Sequence, residues 1–217
     1  MNTNLSRRTF VSHAASAGVF AGVSFPSLSA KHHSSDRFKL GLSQYSLRAL
    51  LKNGSLDALD FPQFTVDQFG IQAIDLWEGG LPKDKLDDAK YLARMRKKAE
   101  QAGTDLFLLM SGALDASPQK REASSARIRA SFQRSVQLGA PLVRVFLKAP
   151  GTEAEAGLSA SVDALKPLAD EAAEKNLIIA IEPGASPLSQ KGAFLAQVAS
   201  KLKHPALKLM PDFGKLK

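Results

Sequence analysis

From residue 38 onward one unit repeats, and this constrains the fold more than any other feature of the chain. A short apolar run is followed by an amphipathic stretch, then by a residue that tolerates left-handed backbone, then by the next apolar run. The runs are KLGLSQYSL (39–47), IQAIDLW (71–77), DLFLLM (105–110), PLVRVFL (141–147), LIIAIE (177–182) and ALKLM (206–210). Most are rich in Ile, Leu, Val or Phe and bounded by Gly, Pro or polar residues, as buried strands are. Between them, three sets of residues recur at three- and four-residue steps, which puts each set on one face of a helix. The sets are Leu92, Met95, Ala99 and Ala102; Ile128, Phe132 and Val136; and Val162, Leu165, Ala169 and Ala172. Gly70, Gly103, Gly139 and Asn176 stand between a helix and the next strand, at intervals of 33, 36 and 37 residues. These are residue types that accept the backbone a helix C-terminus needs.

Strand and helix alternating at that interval predict βα units, a parallel sheet and right-handed crossovers. An open doubly wound sheet and a (β/α)8 barrel both satisfy the pattern. The first strand, GLSQYSLR, carries no glycine-rich phosphate loop, which weighs against a dinucleotide-binding version. At about 34 residues per unit, a full barrel needs about 270 residues. Read as a barrel, six strands in 217 residues make an α/β, incomplete (β/α)8 TIM barrel with outer helices, about three-quarters of a full one; the open sheet stays an alternative at this point.

The first 30 residues read differently. SRRTFV (6–11) is a twin-arginine pattern, followed by a weakly apolar stretch, 14–25, and the small-residue run SLSA, 27–30. This layout predicts an export signal over 1–30, a flexible linker over 31–37 and a single barrel domain over 38–217. The product would be periplasmic or extracytoplasmic, with no stable membrane span.

The chain has no cysteine, which excludes disulfides, thiolate ligands and cysteine nucleophiles. Any metal must take oxygen or imidazole ligands. The formal charge is +8, but bases alternate with acids along the helices, as Lys85 with Asp87 and Asp88. That reads as solvated helix faces rather than a nucleic-acid surface. Neither a GxSxG elbow nor a P-loop is present.

Period-two alternation assigns the strand faces. Ala73, Asp75 and Trp77 face inward, as do Arg144, Phe146 and Lys148, then Ala180 and Glu182, then Lys208, Met210 and Asp212. Glu182 and Asp212 end their runs, so both stand at one rim of the sheet. Such a pair suits two ligands of a hard or borderline divalent cation. It equally suits carboxylates that cap the next helix or pair with a base. Asp75 and Arg144 read as a structural ion pair.

IEPGASPLSQKGAFL (181–195) and LMPDFG (209–214) resemble the sugar phosphate isomerase/epimerase family, the xylose-isomerase-like TIM barrels. GLSQYSLR (41–48) and VRVFLKAPG (143–151) are similar to strands of that family, and the resemblance covers about 38–217. It implies a divalent metal (Mn, Mg, Co or Zn) held by Glu after strand five, Asp after strand six, His after strand seven and Glu after strand eight. Carried to this sequence, Glu182 is the first ligand and the catalytic base, and Asp212 is the second ligand. Asp75, Trp77, Arg144 and Lys148 fall to substrate binding. The implied activity is proton transfer beside a sugar carbonyl, and the implied partner is a sugar or cyclitol. Open sheet edges would invite a second copy of the chain. Pro183 and Gly184 stand where the family has Asn-His, and Lys215 where it has Asn. The His and Glu ligands expected after strands seven and eight have no counterpart in the sequence, which favours, as the alternative, a non-catalytic carbohydrate-binding or degenerate barrel.

Overall fold

The computed structural model describes residues 38–216. The expected export signal and linker, and the expected localisation with them, lie outside the described residues. Six parallel strands form one sheet in the order β1 (Gly41–Ser43), β2 (Ala73–Trp77), β3 (Asp105–Asp115), β4 (Leu142–Lys148), β5 (Ile178–Glu182), β6 (Leu207–Leu209). The helices are α1 (Arg48–Lys52), α2 (Phe61–Phe69), α3 (Ala89–Gln101), α4 (Arg121–Leu138), α5 (Ala154–Glu174) and α6 (Gly192–Leu202). This is a partial TIM barrel of βα units, as the spacing predicted. Gly70, Gly103, Gly139 and Asn176 all have positive φ, between 55° and 75°, where each chain turns from helix to strand. Among the described residues, no helix is long and apolar enough to cross a membrane.

The core lies between sheet and helices. Ile74 and Leu76 of β2 pack with Phe61 of α2 and with Leu92, Met95 and Ala99 of α3. Val143, Val145 and Leu147 of β4 and Ile179 and Ile181 of β5 pack with α4, α5 and α6 through Phe132, Leu165, Ala169 and Leu195. Each such side chain contributes about 2 kcal/mol on burial. The other face of the sheet carries a smaller apolar group, Leu108, Met110 and Ala180 with Trp77, Phe107, Leu142 and Met210. In β2, β4 and β5 the faces read from alternation are the faces observed, whereas Met210 and Asp212 lie beyond the end of β6.

Three local expectations differ. The first run does not continue as a strand. It stops at Ser43 and enters a 3-10 turn, Gln44–Leu47, because the Gln44 N–H donates to the Asp75 carboxylate at 3.1 Å instead of extending the ladder. The third run continues five residues further, to Asp115, through two irregularities. Register slips between Ile74 and Asp75 on the β2 side, and between Met110 and Ala113 on the β4 side. Ser111 and Gly112, beyond the apolar run, are accommodated within the strand as a bulge. Finally, Val136 is exposed. The buried face of α4 runs instead through Ser124, Ser125, Ile128, Ser131, Phe132, Ser135 and Leu138. Its serines bond inward: Ser131 Oγ meets Ser111 Oγ at 2.7 Å, and Ser135 Oγ donates to the Ala140 carbonyl at 2.7 Å.

Candidate functional site at the carboxyl rim

The parallel sheet brings the carboxyl ends of β4, β5 and β6 side by side. Register places Phe146 beside Glu182 and Arg144 beside Ala180. Glu182 and Arg144 are both 6% exposed. Arg144 Nε lies 2.9 Å from Glu182 Oε2, but its N–H is not aligned with that oxygen, so the contact is ionic rather than a hydrogen bond. Arg144 Nη1 donates to the Ser111 carbonyl at 2.7 Å, which the β3 bulge turns toward it. The guanidinium also lies 4.1 Å from the centre of the Phe146 ring. Burial lowers Arg144 from its ordinary value, opposed by the charges of Glu182, Asp75 and Glu78. The arginine remains a cation at any ordinary pH.

Beyond β6 the chain makes a turn that returns to Glu182. The Lys215 N–H donates to the Asp212 carbonyl at 2.9 Å, and the Gly214 N–H donates to Asp212 Oδ1 at 2.9 Å. Lys215 Nζ then bridges two carboxylates, donating to Glu182 Oε1 and standing 3.1 Å from Asp212 Oδ2. It lies 4.7 Å from the Phe146 ring centre. Burial pulls Lys215 downward, but its bonds to Glu182 and Asp212 more than offset this and raise it. Bonds from Lys215 and from the Gly214 N–H hold the Asp212 carboxyl below its usual range.

Glu182 and Asp212 thus converge on a common point, and Lys215 fills it. The divalent cation implied by the family resemblance does not fit this arrangement. One Glu182 oxygen faces a guanidinium and the other an ammonium. Among the described residues no three acidic or histidine side chains are placed to hold one metal ion.

The remaining sequence-derived residues spread around this centre. Asp75 does not pair with Arg144, contrary to expectation. Arg144 turns to Glu182, and Asp75 Oδ1 instead accepts from Ser43 Oγ and the Gln44 N–H, both at 3.1 Å. Burial pushes the Asp75 carboxyl up to about 6. Trp77 packs edge-on against Tyr45, with ring centres 4.9 Å apart. Lys148 pairs with Asp115 at 3.1 Å. Both border an open cleft of about 360 Å³ that also includes Ser117, Lys120, Pro150 and Ser186. Glu78 is held by Arg134 at 2.7 Å, and Arg134 also reaches Asp87 at 2.9 Å. Neither ion pair has a local sequence signal, since the partners lie 56 and 47 residues apart. Lys215 was visible in the sequence only as the residue replacing Asn.

Comparison with known proteins agrees with the fold. A probable 3-DHS dehydratase of petrobactin synthesis from Bacillus anthracis superposes with a TM-score of 0.67 and 17% identity, covering 82% of this chain. A putative xylose isomerase from Rhodospirillum rubrum gives 0.64, 15% and 82%. D-psicose 3-epimerase from Clostridium cellulolyticum, solved with D-tagatose, gives 0.60, 14% and 72%. The chain spans 64%, 66% and 58% of the lengths of these three proteins, respectively. No curated protein sequence matches it. The sequence profile described as Xylose isomerase-like TIM barrel matches residues 65–216, and the chain belongs to that family.

Proposed function

We propose that this is a sugar isomerase/epimerase-like protein that binds a sugar, sugar phosphate or cyclitol at the carboxyl rim beside Glu182. The observation that carries this reading is the convergence of Glu182 and Asp212, from the exits of β5 and β6, on one point beside the Phe146 ring. The class of ligand follows from the family and from epimerases among its structural neighbours.

In this reading the substrate carbonyl displaces Lys215 from Glu182 and takes the ammonium itself. The freed Glu182 carboxylate removes the proton from the hydroxyl-bearing carbon beside the carbonyl and delivers one to the former carbonyl carbon, while the hydroxyl proton passes to the former carbonyl oxygen, so no net proton is gained or lost. Lys215 and Arg144 place positive charge beside the oxygen on which negative charge develops. Asp75, Trp77 and Lys148 line the approach and bind the rest of the ligand.

A second reading, carbohydrate binding without turnover, has one observation in its favour: both oxygens of Glu182 already face cations. Proton NMR in D2O on a panel of aldoses, ketoses and their phosphates separates the two. Proton transfer predicts loss of the signal from the carbon-bound hydrogen beside the carbonyl, at least about 100-fold slower in Glu182→Gln. Ligand-induced thermal stabilisation with no exchange supports the binder. Neither exchange nor stabilisation across the panel refutes the sugar reading.

A further inference from the structure

We infer that Lys215 is a built-in cation standing in for a divalent metal between Glu182 and Asp212, so that this site takes a ligand oxygen on an ammonium. The inference rests on the preceding reading only for the location of the site.

Four features beyond the contact itself support it. The turn after β6 fixes Lys215 three residues from Asp212, through the 2.9 Å bond from the Lys215 N–H to the Asp212 carbonyl and the 3.1 Å bond from the Leu216 N–H to the same oxygen. Gly184, two residues beyond Glu182, has φ 127°, a conformation that disfavours other residues. A Cβ there would lie 3.0 Å from Lys215 Cδ, so the loop after β5 leaves the space through which the lysine stem passes. Glycine at 184 and lysine at 215, two departures from the family pattern, are thus one steric arrangement. The Phe146 ring faces the ammonium, a favourable setting for a cation. Finally, Arg144 already compensates the far oxygen of Glu182. The guanidinium and the ammonium together cancel the charge of both carboxylates, so a divalent ion would find no net attraction there.

Titration of free Mn2+ by electron paramagnetic resonance, with no sugar present, tests this without reference to turnover. The wild-type chain is expected to leave the free-ion signal unchanged. Lys215→Asn removes the ammonium and opens the space between two carboxylates, and should raise Mn2+ affinity at least about tenfold. Lys215→Arg, which keeps the cation, should behave as wild type. Adding Glu182→Gln to Lys215→Asn should abolish the gain. Wild-type binding as tight as that of Lys215→Asn, or wild-type binding lost in Glu182→Gln, would overturn the inference. Because no sugar is present, failure of the isomerase reading leaves this result intact, and the reverse also holds.

Discussion

Replacing Asp75 with Asn should change how stability depends on pH, with a sign opposite to that of Asp87, Asp88, Asp115, Asp170 and Asp212. Asp75 is 5% exposed on the inner face of β2. Burial is the largest influence on it, and its carboxyl titrates at about 6 rather than at the ordinary 3.8. In the unfolded chain the group loses its proton near 3.8, whereas the folded chain keeps it until about 6. Stability from this group is therefore full below 3.8, declines as pH rises toward 6, and is lost above it. At about 1.4 kcal/mol per pH unit, the difference amounts to about 3 kcal/mol. Asn keeps an Oδ1 acceptor for Ser43 Oγ and the Gln44 N–H but cannot ionise. Urea unfolding of wild type and Asp75→Asn at intervals from pH 4 to 7.5 gives the measurement. The contributions of other acids, such as Asp212, largely cancel in the difference. Asp75→Asn should gain on wild type steadily between about pH 4 and pH 6, by up to about 3 kcal/mol, and hold that gain above it. A difference that is flat, or that moves in favour of wild type as pH rises, would refute the assignment of a strained buried charge.

Arg144→Met should destabilise the fold by about 3–5 kcal/mol, because it leaves Glu182 buried without its guanidinium, and Arg144→Met with Glu182→Leu should recover most of that in the same urea assay. Phe132→Ala removes a fully buried ring from the contact of α4 with the sheet. It should cost about 3–5 kcal/mol, measured by thermal unfolding, while leaving the Mn2+ response of the Lys215 variants unchanged.

The parts of the fold that depend on one element at a time were legible in the sequence. Ile74 and Leu76 alternate with Asp75 because a strand has a period of two, and Gly139 marks a helix end because its φ is 75°. What depends on neighbours across the sheet was not. The end of β1 is set by an aspartate 31 residues later in the chain. The bulge at Ser111 and Gly112 requires the β4 register. The exposure of Val136 follows from serines that let α4 approach β3 closely, and serine carries no hydrophobic signal. At the site, alternation and the family pattern together brought out Glu182 and Asp212. They did not reveal that Arg144 chooses Glu182 over Asp75, or that Lys215 closes the group. Those outcomes depend on distances between side chains 38 and 33 residues apart.

Each strand in this sheet bonds only to the strands just before and just after it in the chain, with paired residues separated by 32 residues between β1 and β2 and 36 between β4 and β5. Every loop that must close during folding is therefore of nearly one length, and no late strand has to insert between two early ones. Structure can spread outward from any adjacent pair, and a growing chain on the ribosome can dock each unit on the last as it emerges. A lesion in β1 should then leave the β4–β5 pairing, and the rim chemistry it carries, almost untouched.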